Sequence, residues 1–346
     1  MKRNNNNYYK FLLILALIFL CGIVSSSFAF AETVQFSSTA RSAIVMERES
    51  GRVLYSKNAD ERLPMASTTK IVTALTVINN GNLDDVVTIP KAACGIEGSS
   101  IYLREGEHLT VRELLYGLML RSGNDSAAAL ALHVGGSVER FAEMMNDTAK
   151  TLGCQNSNFV NPHGLHNDEH YTSARDLAVI TCNALKNDDF KQIVSTKTVR
   201  IANEGYEYDR VLINKNKLLS NCDGADGVKT GYTKKAGRCF VGSATRNGMQ
   251  VVAVVLNCGP MFEETASMLD SAFANYSLQT VVPLNKVCGS MEEKGKKYYY
   301  ICPERLTYPV KDGEELTTQI QLDKDIQQIN VYLDKKLICV KKLAVI

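Results

Sequence analysis

The chain has 346 residues, 45% hydrophobic and 22% charged, with 39 basic against 37 acidic side chains. That balance fits a packed large domain with a smaller second one, and excludes a disordered tail or a multi-span membrane protein. Near-neutral charge offers no basic field, so no nucleic-acid partner is expected.

The first 31 residues read as a signal peptide. Lys2, Arg3 and Lys10 precede an apolar run from Phe11 to Val24, and Ala29-Phe30-Ala31 forms a small-x-small cleavage site. The run is short for a membrane span, and Leu20 is bulky where a lipid-attachment site before Cys21 wants a small residue. The expectation is an exported protein, acting in the cell wall or on the outer face of the cytoplasmic membrane. Removing the leader leaves nine of ten cysteines. An odd number cannot all pair within one chain, and no C-x-x-C spacing suggests zinc. Cys182, Cys239, Cys258 and Cys339 sit in apolar runs as small hydrophobes; Cys288 and Cys302 are the pair that could bridge.

In chain order, Ala43–Glu47 and Arg52–Ser56 read as strands around a Glu49-Ser50-Gly51 turn. Pro64 stops extended structure and Ser67 opens a helix to about Ile78. Thr110-x-x-Glu113 is a capping box, starting a helix that Ser122-Gly123-Asn124 breaks. Asp125 caps an all-apolar, hence buried, helix over Ser126–Val134, ended by Gly135-Gly136. Another helix runs from about Val138 to Leu152 before Gly153, and Ser173-x-x-Asp176 starts one more. The period then switches from 3.6 to 2. Thr198–Ala202, Val211–Asn214, Arg238–Thr245 and Met249–Asn257 read as strands, the last two joined through Asn247-Gly248. A helix over Glu263–Leu278 follows. Strands from both ends of the segment with helices between them predict an α+β domain over residues 32–281, an antiparallel sheet covered by a helical cluster. Residues 282–346 are expected to form a small β-rich domain, with strands at Tyr298–Cys302, Leu316–Leu322 and Ile329–Leu333.

Three short motifs carry chemistry: Ser67-Thr68-Thr69-Lys70, Ser122-Gly123-Asn124 and Lys229-Thr230-Gly231. At i and i+3, Ser67 and Lys70 share a helix face. A serine hydroxyl needs a base to become a nucleophile, and a lysine serves only when neutral. That requires its pKa to fall from about 10.4 to roughly 7–8, by desolvation and a nearby cation. Lys229 is the natural cation. In the interhelical loop, Ser122 can relay a proton and Asn124 can hold a substrate amide. On the strand, Lys229 and Thr230 can hold a substrate carboxylate, and Gly231 lets a substrate backbone approach. The amides of Ser67 and Tyr232 are expected to form an oxyanion hole. Singly each motif is weak; in this order, at a helix start, a loop and a strand, they have the context such motifs require.

From about Val34 to Gln279 the chain resembles the D-alanyl-D-alanine carboxypeptidases, the low-molecular-mass penicillin-binding proteins. The stretches that carry the likeness are Leu63–Lys70, Ser122–Asp125, Phe159–Leu165, His170–Asp176 and Asp226–Thr233. The resemblance implies a β-lactamase/transpeptidase-like fold and an acyl-enzyme on Ser67. The substrate it implies is a peptidoglycan stem peptide, whose terminal D-alanine leaves, and β-lactam antibiotics would act as covalent inhibitors. By motif matching, Ser67 is the nucleophile, Lys70 the base, Ser122 the proton relay and Lys229 the carboxylate anchor, with no cofactor. A D,D-endopeptidase of the same fold remains an alternative. A β-lactamase ranks lower: class A enzymes need a glutamate for deacylation, and Glu143-Met144-Met145-Asn146, the nearest match, lies mid-helix. A non-catalytic wall-binding protein ranks lowest, since every motif residue is intact.

His163, His166 and His170 surround a Pro162/Gly164 turn, which favours a structural loop near the site over a metal centre. Arg175 and Asp176 read as an ion pair or cap. Many family members end in an amphipathic helix on the membrane; here Gln327–Ile346 alternates as strands with paired lysines, leaving any peripheral membrane contact to the C-terminal domain itself.

Overall fold

The computed structural model describes residues 36–346; the leader expected over residues 1–31 lies outside them. The fold is built on a five-stranded antiparallel sheet. Its strands are β1 (Ser42–Glu47), β2 (Val53–Lys57), β3 (Ala225–Thr233), β4 (Gly237–Arg246) and β5 (Met249–Leu256), in the order β2-β1-β5-β4-β3. The amino-terminal hairpin therefore completes a sheet whose other strands come from the far end of the segment. β5 pairs with both β1 and β4 and is buried along its whole length. Alternate side chains face opposite cores: Val252, Val254 and Leu256 on one side, Val251, Ala253 and Val255 on the other. Asn247 and Gly248 both take positive φ, as the β4–β5 turn requires.

The larger core holds the helical cluster: α1 (Lys70–Asn80), α2 (Val111–Leu120), α3 (Asn124–Gly135), α4 (Val138–Thr151), α5 (Ala174–Ala184) and α6 (Asp188–Ser195). The capping box of α2 forms, with Thr110 and Glu113 bonded reciprocally. Ser137 and Ser173 cap α4 and α5 through Arg140 N and Asp176 N. The smaller core lies under α7 (Met261–Asn275).

Three local expectations are corrected. Asp125 does not cap α3; it lies inside the first turn and accepts from Ser100 Oγ, Ile101 N and Leu103 N at 2.5, 3.0 and 3.1 Å. Ser67 lies not on an α-helix but in a 3₁₀ turn, Ala66–Thr69, that leads into α1. The helix expected to Leu278 stops at Asn275, because Tyr276–Val282 is a strand (β6) paired with Leu306–Lys311 (β9). The remaining C-terminal strands are β7 (Val287–Glu293), β8 (Lys296–Ile301), β10 (Leu316–Leu322), β11 (Gln327–Leu333), β12 (Lys336–Lys342) and the short β13 (Ala344–Val345). β7-β8-β13 and β10-β11-β12 form two small antiparallel sheets around Val282, Cys302, Leu306, Ile329 and Val331. Arg52 ties this domain to the main sheet. It donates to Pro309 O at 2.6 Å, pairs with Glu314, and its guanidinium stands 5.1 and 5.3 Å from the ring centres of Tyr276 and Tyr308.

All nine described cysteines are free. Cys288 and Cys302, the candidate bridge, instead donate weakly to the carbonyls of Lys286 and Glu304. Arg175 pairs with Asp60 at 2.7 Å, and Asp176 accepts from Asn156 N and Ser157 Oγ.

Candidate active site

The 3₁₀ turn of Ala66–Thr69 presents Ser67 half-buried at the entrance to α1. Two backbones press against this turn at glycines. At Gly231 on β3, a Cβ would come within 3.0–3.1 Å of Met65 O, Ser67 N and Thr68 N. At Gly164, which has φ +84°, a Cβ would collide with Ala66 O. Gly231 was expected to clear space for substrate; its missing side chain first lets β3 reach the serine turn. Ala66 itself takes φ +50°, a left-handed conformation that a non-glycine residue adopts at a cost.

Lys70 is fully buried, and no carboxylate among the described residues pairs with its Nζ. Nζ lies 3.1 Å from Ser67 Oγ, 2.7 Å from Asn124 Oδ1 and 2.6 Å from the carbonyl of His163. Burial drives its pKa well below the usual lysine value, and the charges of Lys229 and Lys215 push it the same way. A neutral amine has two N–H groups and one lone pair. Asn124 Oδ1 and His163 O absorb the two N–H groups, which leaves the lone pair for Ser67.

Asn124 is held in turn. Its N–H donates to Ser99 O at 2.7 Å and its Nδ2 to Glu97 O at 2.5 Å. One side-chain N–H and one lone pair remain for a substrate amide. Two residues earlier Ser122 is buried with φ +64°, in the turn that joins α2 to α3.

Lys229 on β3 is 1% exposed, and its Nζ donates to Thr230 O at 2.9 Å. Burial lowers its pKa to about 7, with Lys215 adding to the effect. Burial lowers both lysines, and the charge on Lys229 adds to the lowering of Lys70. Thr230 is half-buried, while the Tyr232 side chain is 65% exposed.

Sequence reasoning brought Ser67, Lys70, Asn124, Lys229 and Gly231 to one place. It missed the His163 carbonyl, Gly164 and Lys215. A backbone acceptor carries no side-chain signature, although the Asn161-Pro162-His163-Gly164 turn marked the loop that supplies it. Lys215 donates to Ser99 Oγ at 2.9 Å at the rim. The histidines brace the loop rather than gather on an ion. His170 accepts from Val160 N at Nδ1, so its Nε2–H is the donor to Thr69 Oγ1 at 2.8 Å. Burial holds His170 down at about 3, and burial plus Lys70 holds His163 at about 4, so both are neutral at pH 7. Glu143 pairs with Arg140 at 2.7 Å on an exposed face of α4. Asn146 bonds Phe159 N and O.

The family description "D-alanyl-D-alanine carboxypeptidase" matches residues 29–259. The chain is 36% identical over 295 residues to D-alanyl-D-alanine carboxypeptidase DacF of Bacillus subtilis, covering 82% of this chain and 76% of the relative. It is 30% identical to DacA of Haemophilus influenzae, covering 86% and 80%. Among solved structures, penicillin-binding protein 5 of H. influenzae superposes with a TM-score of 0.76 at 27% identity, over 90% of this chain and 98% of that one. A serine-to-alanine mutant of the Streptomyces K15 DD-transpeptidase gives 0.66 at 38% identity, over 69% and 100%. The chain belongs to the D-alanyl-D-alanine carboxypeptidases, serine peptidases of the low-molecular-mass penicillin-binding type.

Proposed function

We propose that this carboxypeptidase works through an ester on Ser67, with Lys70 as the base. Ser67 Oγ transfers its proton to the Lys70 lone pair and attacks the carbonyl of the penultimate D-alanine. The bond to the terminal D-alanine breaks, and its amine takes a proton through Ser122. Water then attacks the ester, Lys70 again accepting a proton, and Ser67 is restored. Lys229 and Thr230 hold the terminal carboxylate, Asn124 steadies a substrate amide, and the amides of Ser67 and Tyr232 face the developing oxyanion. A bound carboxylate also keeps Lys229 charged, which keeps Lys70 neutral. Penicillin acylates the same oxygen. The carrying observation is the disposition of Lys70 Nζ, with both N–H groups occupied and the third position turned to Ser67 Oγ.

The test is covalent labelling. A labelled penicillin marks the wild-type protein, and Ser67→Ala abolishes the mark; a labelled Ser67→Ala protein removes Ser67 from the role. Carboxypeptidase action releases free D-alanine from stem pentapeptides, whereas a D,D-endopeptidase would cut cross-linked muropeptides faster, and product analysis separates them. The leader at residues 1–31 supports export. We place any peripheral membrane contact on the C-terminal β-domain; no helix among the described residues is long and apolar enough to cross a membrane. Cell fractionation reads both.

A further inference from the structure

On the far side of the segment that holds Asn124 lies a second concavity of about 740 Å³, between residues 95–104 and the hairpin of Thr198–Ile201 with Arg210–Ile213. This is within the roughly 300–1,000 Å³ of small-ligand sites. Three tyrosines line it and stay exposed: Tyr102 at 82%, Tyr206 at 52% and Tyr208 at 66%. The Tyr206 and Tyr208 ring centres are 5.4 Å apart. Arg104 stands 4.3 Å from the Tyr206 ring centre, which fixes that ring from one side.

The charges around the groove largely cancel. Arg210 forms an ion pair with Glu107 at 2.9 Å, both side chains nearly buried, and Arg104 lies 3.8 Å from the same carboxylate. Glu204 accepts from His108 N at 2.8 Å and faces its ring at 3.2 Å. Aromatic faces, a near-neutral lining and the polar groups of Asn203 and Asp209 suit an uncharged polyol better than a charged peptide. The negative face of a tyrosine ring attracts the C–H face of a sugar, and its hydroxyl meets the sugar's own.

Position argues the same way. Gly98 lines the groove on one side, and on the other a Cβ there would come within 2.9 Å of Asn124 Nδ2. One backbone segment thus separates the tyrosines from the amide that holds Lys70. Four extended peptide residues span on the order of 14 Å.

We propose that this tyrosine groove is a saccharide subsite, holding the glycan strand from which the stem peptide hangs. This rests on the carboxypeptidase reading above. The experiment compares D-alanine release from a short free peptide ending in D-Ala-D-Ala with release from the same peptide carried on an N-acetylglucosamine–N-acetylmuramic acid disaccharide. Tyr206→Ala and Tyr102→Ala raise KM on the disaccharide substrate about 3- to 10-fold and leave the free peptide unchanged. Equal loss on both substrates, or no loss on either, overturns the subsite. Tyr206→Phe keeps the ring and restores most of the loss, short of what its hydroxyl contributes, and an unchanged penicillin acylation rate shows that the variants are folded. Saturation-transfer NMR with a peptide-free tetrasaccharide of the same sugars shows binding that Tyr206→Ala and Tyr102→Ala weaken. No binding to the wild type sinks the inference without touching Ser67, while sugar binding without D-alanine release sinks the carboxypeptidase reading alone.

Discussion

Around Ser67 the catalytic domain buries two lysines with no carboxylate paired to them among the described residues, inside a core of more than fifty buried apolar side chains. The C-terminal domain gathers five buried apolar side chains into its core cluster and keeps its charges outside, and Arg52 ties it to the main sheet. A large core can carry uncompensated charge and still fold, because burying a lysine costs stability that many apolar contacts offset. A small core has no such surplus, and the C-terminal strands rely on their hydrogen-bonded ladders and on docking. Reactivity in this molecule therefore sits where packing is dense enough to keep an amine neutral.

The largest expected effect tests that link. Lys70→Ala lowers the rate of penicillin acylation about 10⁴- to 10⁶-fold, comparable to Ser67→Ala, because nucleophile and base act as one unit. If Lys70→Ala retained a tenth of the acylation rate, dense burial would have nothing to do with reactivity. Next comes the packing itself. Gly231→Ala forces β3 off the serine turn by a few tenths of an ångström and lowers acylation about 10²-fold. It also costs about 1–3 kcal/mol in denaturant unfolding. Wild-type kinetics with Gly231→Ala would show that the turn tolerates looser support.

pH sharpens the comparison further. The base requires neutral Lys70 and the anchor requires charged Lys229, so kcat/KM rises as Lys70 loses its proton and falls as Lys229 loses its own. The alkaline limb in the free enzyme falls near 7 and moves upward in kcat, where bound carboxylate keeps Lys229 charged. Lys229→Arg removes that limb. On the acid side, His163 is held at about 4, below its unfolded value of about 6.5. Its contribution is complete above pH 6.5 and disappears as pH falls toward 4, a loss of about 3 kcal/mol by linkage. Thermal melts between about pH 7 and 4 read this loss together with that of His170, which is held at about 3.

The smallest effect belongs to the other region. Arg52→Ala removes an ion pair and two ring contacts, and loosens the C-terminal domain by about 1–3 kcal/mol. Limited proteolysis then cuts near Tyr276 first, while acylation by penicillin stays at the wild-type rate. A fall in acylation would mean that the two regions are coupled.

The parts of the fold that were legible in the sequence are those written in side-chain type and period. The three motifs, the capping box at Thr110 and the Asn247-Gly248 turn all belong there. What was not legible depended on contacts that no local pattern encodes. Tyr276 and Leu278 fit both a continued helix and an alternating strand; pairing with β9 decided for the strand. Asp125 looked like a cap because its neighbours begin a helix, yet its carboxylate serves the amides of a segment more than twenty residues earlier. The acceptor that orients Lys70 is a carbonyl, which any residue type at position 163 would supply. Chemistry announced itself through side chains, and its support through the backbone.

The free cysteines carry a consequence for how the protein meets oxidants. Burial lifts the thiols of Cys154, Cys182 and Cys258 to about 12 and that of Cys239 to about 11. At neutral pH these sulfurs hold almost no thiolate, the form that oxidants and other disulfides attack. These four thiols are therefore held in the form that oxidants and disulfides attack slowly.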